Sequence, residues 1–190
     1  MAVFNKQGLI TELLDRTELV KAGTQPFLRL TDEQLNFKPA PDQWSIAEVF
    51  GHLNVIHDLY IRVMLAHITR APEVDHQEYR SGWIGDFLYE KIKPRTDGTI
   101  FKIRSPRVLH AQSSEIDARE TLQTFLSQCD ALDDILRHVY TKDIQRIRIP
   151  LATCKLVKVR LGDHLRFMVA HNERHLLQAH RIQQVIPQPI

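Results

Sequence analysis

Residues 162–186, GDHLRFMVAHNERHLLQAHRIQQVI, decide how this chain folds. Leu165, Met168, His175, Ala179, Ile182 and Ile186 fall on one line of an α-helix, and His171 shares that inward stripe one turn before His175. A core position normally takes Leu or Ala, because an unpaired polar group there costs roughly 1–3 kcal/mol. Two inward imidazoles one turn apart are therefore either satisfied by hydrogen bonds or bound to something. A pair of histidines four residues apart on one helical face is also a geometry that grips a transition metal.

A helix with such a stripe needs partners, and the rest of the chain supplies three. Ala118, Leu122, Phe125, Cys129, Leu132, Leu136 and Val139 alternate in steps of four and three, the seam spacing of helices packed nearly parallel or antiparallel. That helix is expected to start near Ser113 or Ser114. Ser45-Ile46-Ala47-Glu48 reads as a capping box, the serine capping a free amide and the glutamate reaching back. It opens a helix to about Ala71, with Ile46, Val49, Leu53, Ile56, Tyr60, Val63 and Met64 along one face. Leu9, Ile10, Leu13, Leu14 and Val20 mark a first helix over 9–22, stopped by Gly23, Thr24 and Pro26.

The connections are uneven. Residues 31–44 hold a short helical turn and two prolines, and residues 141–160 read as a loop with a short extended piece. Residues 71–113 are too long to be structureless, and Trp83, Phe87, Leu88 and Ile92 suit a short helix over 82–92. After it, Pro94, Gly98 and Pro106 punctuate an extended loop. The expectation is an all-α fold: a four-helix bundle in one domain over 1–190, with a long crossover between helices 2 and 3. Such a crossover allows an arrangement other than simple up-down-up-down.

Composition narrows the function classes. At 43% hydrophobic and 25% charged, with net charge +2, the chain has the balance of an ordinary globular protein. That balance, and the lack of a helix with an exposed basic face, argue against nucleic acid as a partner. No stretch approaches the roughly 18 apolar residues of a membrane span. The first residues turn polar within six positions, unlike a signal peptide. Cys129 and Cys154 give no disulfide framework and suit a reducing cytoplasm.

Two histidines do not make a metal centre, since catalytic zinc-type sites usually take three protein ligands. His164, about 10 Å along the helix from His171, is too far to join. A third ligand must come from another helix. His52, His57 and His67 on the second helix, His110 in the crossover and His138 on the third are the candidates, and periodicity does not choose among them. His67 lies nearest the apolar stripe, with His52 and His57 flanking it. His57, His76, His110, His164 and His180 are most simply surface or satisfied residues.

The run Lys38-Pro39-Ala40-Pro41-Asp42-Gln43-Trp44-Ser45-Ile46-Ala47-Glu48-Val49, followed by Gly51-His52-Leu53, resembles the opening motif of the DinB-like superfamily. Ala170-His171-Asn172-Glu173-Arg174-His175-Leu176-Leu177-Gln178-Ala179 resembles its closing helix, and Phe101–Arg107 is similar to the crossover of the DinB-2 (YfiT-like) branch. The resemblance spans nearly the whole chain. It implies a four-helix bundle with a three-histidine divalent-metal site, whose ligands fall on His52, His171 and His175. Zinc and nickel are the favoured ions, with iron and manganese the alternatives. Members of the superfamily are metal-dependent hydrolases or S-transferases acting with a low-molecular-weight thiol, and homodimers are common.

An open metal position can polarise a carbonyl, acidify bound water or hold a thiolate. A hydrolase is expected to place a carboxylate nearby as general base. Glu173 projects about 200° away from His171 on the helix, and Glu48 already suits the capping box. Lys102, Arg104 and Arg107 could meet a carboxylate-bearing thiol or substrate, although a solvated loop is the simpler reading. The sequence thus supports a metal-dependent transferase or hydrolase acting on a small-molecule substrate. A metal-binding stress-related bundle without catalysis, and a degenerate bundle whose histidines only hydrogen-bond, are the competing classes.

Overall fold

Polar caps set the helix boundaries. In the computed structural model, which describes residues 1–95, 117–152 and 154–187, strand β1 (Val3–Asn5) leads into helix α1 (Lys6–Thr24). Asn5 caps α1 by accepting from the Gly8 amide at 2.8 Å. Helix α2 (Asp32–Asn36) and helix α3 (Ile46–Ile68) both open on capping boxes, from Thr31/Gln34 and Ser45/Glu48. Strand β2 (Glu78–Arg80) and helix α4 (Trp83–Ile92) follow. Helix α5 (Ala118–His138) is capped by Asp117, which accepts from the Glu120 amide at 2.9 Å. A hairpin of β3 (Arg148–Leu151) and β4 (Cys154–Arg160) runs straight into helix α6 (Leu161–Gln184). The expected helix start at Ser113 or Ser114, the Phe101–Arg107 stretch with its basic residues, and His110 lie outside the described residues.

Four long helices, α1, α3, α5 and α6, form the bundle. Around the ring, α1 packs on α5 and α6, and α3 packs on the same two. Helices consecutive in sequence, α1 with α3 and α5 with α6, are thus diagonal rather than adjacent. The connector carrying α2 and the hairpin before α6 are long enough to make those diagonal crossings. Helix α4 packs along the outside of α6.

Two differences from the sequence reading stand out. Residues 141–160 hold a paired hairpin, in which Ile149 faces Val159 and the register shifts between Pro150 and Leu151. Proline cannot donate to the ladder, so regular pairing ends there. The second is that β1 pairs antiparallel with β2, tying residue 3 to residue 80. A three-residue strand carries too little alternation to be read in sequence.

The interior is divided in two. One apolar cluster holds Leu13, Ile56, Leu132 and Leu165; the other holds Val20, Phe50, Phe125 and Ala179. Between them each bundle helix contributes buried polar groups: Thr17 from α1, His57 from α3, Gln128 from α5, and His171, Asn172 and His175 from α6. This polar layer positions the site.

Candidate metal centre

His52 lies in the second turn of α3, and His171 and His175 lie at mid-length on the neighbouring α6. All three are buried, at 3%, 6% and 7% exposure. One nitrogen from each lies within 4.8 Å of the other two. His171 Nε2 and His175 Nε2 are 3.2 Å apart. The rings meet edge to face, with interplanar angles of 65–81° between pairs, so their edges converge.

The walls are aromatic. Trp44, just ahead of the α3 cap, places its ring 5.0 Å from His52 and 6.0 Å from His175. Phe167, one turn before His171, stacks on its ring at 5.5 Å and 12°. Burial holds His171 far below the ordinary histidine range, and the neighbouring His175, His52 and His57 deepen the effect. His175 is pushed down to about 3, first by burial and then by His52 and Arg174. Both rings are therefore neutral near pH 7 and each offers a lone pair, the form in which imidazole ligates a metal. Three converging imidazoles, two of them held neutral, fit a divalent transition ion.

One hydrogen bond orients His175 directly, and another ties the two helices beside the cluster. His175 Nδ1–H donates to Gln178 Oε1 at 2.9 Å. His57 Nε2–H donates to Asn172 Oδ1, also at 2.9 Å. Trp44 and Gln178 stand within the two family-like runs without a role read for them, and Phe167 lies outside both, although an i, i+3 neighbour of a histidine is a place where such a partner can be sought.

The other histidines are sorted plainly. His67, nearest the apolar stripe in sequence, is exposed and bonds its own helix at Val63 O. His138 is exposed and does the same at Asp134 O. His57 is buried and satisfied on one side through Asn172. His76 approaches Asp143 at 3.7 Å, and His180 packs on Phe27 at 4.8 Å between ring centres. His164 corrects the sequence reading, being neither exposed nor satisfied. It is buried at 1% exposure, its ring sits 4.0 Å from that of Tyr60, and neither nitrogen has a hydrogen-bond partner among the described residues.

The two carboxylates nearest the ligands in sequence are engaged elsewhere. Glu173 binds Arg16 through both oxygens at 2.7 Å, tying α1 to α6. Glu48 accepts from Ser45 N–H at 2.9 Å and pairs with Lys38 at 2.7 Å. None of the three histidines lines the surface groove of about 360 Å³ beside Arg16, Tyr89, Lys93 and Glu173.

Comparison with known proteins agrees with this architecture. No curated protein matches the chain. A solved structure, YfiT from Bacillus subtilis, aligns with a TM-score of 0.59 at 16% identity, covering 92% of this chain and 86% of its own. YfiT is described as a probable metal-dependent hydrolase with an unusual four-helix bundle topology. The family model described as DinB superfamily matches residues 16–179, a span that contains all three clustered histidines. With that match over most of its length, the chain belongs to the DinB superfamily.

Proposed function

We propose that the protein is a metal-dependent enzyme in which His52, His171 and His175 hold one divalent transition ion, with zinc or nickel favoured over iron or manganese. The observation that carries this is the convergence of three buried imidazole nitrogens within 4.8 Å. An ion so held keeps its full charge and supplies Lewis acidity. The chain contributes the neutral ligands, the Trp44 and Phe167 walls that limit water, and the polar layer that fixes the ligands' height in the bundle.

Of the two chemistries open to such a centre, thiol transfer to a small electrophilic substrate is the first reading. Glu48 and Glu173, the carboxylates closest in sequence, are committed to Lys38 and Arg16 rather than to a water molecule at the site. A low-molecular-weight thiol needs no such base once it is held as thiolate. Hydrolysis is the second reading, favoured by the likeness to YfiT. The proposed setting is a cytoplasmic homodimer. Among the described residues, no helix is long and apolar enough to cross a membrane.

Metal analysis of protein purified without chelator or nickel resin, followed by titration, tests the centre. About one equivalent per chain is expected. Less than about 0.2 equivalents with no uptake on titration overturns the proposal and leaves a bundle whose histidines only hydrogen-bond. Conjugation assays pairing several thiols and electrophiles separate transfer from hydrolysis, and activity surviving in His171→Ala or His175→Ala would show that the ion is not the catalyst.

A further inference from the structure

We infer that Gln178 is a positioning residue that sets the tautomer of His175, and thereby makes the two α6 ligands unequal; the inference rests on the three-histidine centre proposed above. An amide oxygen only accepts hydrogen bonds. With Gln178 Oε1 2.9 Å from His175 Nδ1, that nitrogen carries the ring's single proton. His175 Nε2 is then a bare lone pair aimed at His171 Nε2, 3.2 Å away. In the ion-free protein the hydrogen between the two rings therefore belongs to His171 Nε2.

His175 is thus preset for an ion and His171 is not. To present Nε2, His171 must move its proton to Nδ1. That nitrogen is buried and has no hydrogen-bond partner among the described residues. The oxygen orienting His175 also belongs to a neutral amide. A carboxylate in the same place would raise the ligand's basicity and add negative charge, whereas glutamine fixes direction alone.

The test uses zinc as the probe and the full-length chain. Long-range ¹H–¹⁵N spectra of the ion-free wild type are expected to show His175 as the Nδ1–H tautomer, and Gln178→Leu as a mixture of both. Zinc affinity, measured by competition with a chromophoric chelator, is expected to fall ten- to hundredfold in Gln178→Leu and to match or exceed wild type in Gln178→Glu. An unchanged denaturation midpoint in the ion-free variants separates positioning from folding. Wild-type affinity in Gln178→Leu, a Glu variant as weak as the Leu variant, or an Nε2–H tautomer in the wild type each overturns the role given to Gln178 while leaving the centre standing. Failure of the wild type itself to take up zinc removes the centre, and the inference with it.

Discussion

His57 Nε2–H donates to Asn172 Oδ1 across 2.9 Å, joining α3 to α6 beside the turns that carry the three clustered histidines. Both residues are essentially inaccessible, at 0% and 1% exposure. Losing one partner strands the other in a dry interior. His57→Leu and Asn172→Leu are each expected to cost roughly 1–3 kcal/mol in chemical denaturation. The double variant should lose less than the sum, because the second change removes the stranded group. Additive losses would show that the two side chains are not coupled.

Acid sensitivity should trace in part to His164. Burial lowers its pKa from 6.5 to about 3. The unfolded chain therefore binds the proton more readily, and stability is complete above about pH 7 and drains away as pH falls from 6.5 toward 3. His164→Leu removes both orphaned nitrogens. Its stability at pH 7 should equal or exceed that of wild type, with a flatter decline on acidification in urea melts. An identical pH profile would assign the acid sensitivity to other groups.

Helix α4 is held against α6 by a contact that tolerates no side chain. A Cβ on Gly85 would stand 2.2 Å from Asp163 Cγ, and Asp163 is itself fixed by Tyr79 Oη at 2.5 Å and the Gly82 amide at 2.9 Å. Gly85→Ala must push α4 outward or break that network. A loss of roughly 1–3 kcal/mol is expected, with faster amide exchange in α4 than in α3. Protection unchanged across α4 would refute the close-approach argument.

The two thiols should differ sharply. Cys129 is buried and burial pushes its thiol far up, whereas Cys154 is exposed at the start of β4. A thiol reagent is expected to modify one group in the native protein and both in denaturant, with the native adduct mapping to Cys154 by mass spectrometry. Native labelling of Cys129 would mean that α5 opens readily.

What could be read in the sequence followed from periodicity and caps. The seam from Ala118 to Val139 is buried at every one of its seven positions, and the Ser45/Glu48 box starts α3 where expected. Periodicity failed where a helix has more than one buried face. From Ser45 through Leu53 all positions but Glu48 are buried, because α2, α5 and α6 surround that half of α3. A single-stripe argument therefore could not choose between His52 and His67, which is exposed on the far half, and only the family motif pointed to the ring that clusters with His171 and His175. The same crowding on α6 hides His164, whose environment is made by Tyr60 from a different helix. Tertiary partners of that kind leave no trace in local spacing.

Because hydrophilic groups interrupt the oily interior at one height on all four rods, that belt also works as a registration key. Sliding α6 by a single turn, about 5.4 Å, would drive Asn172 and the clustered rings into aliphatic neighbours and strand His57. Purely greasy helices could tolerate such slippage; these cannot, so the alignment that brings the histidine rings together is the one the folded chain is bound to keep.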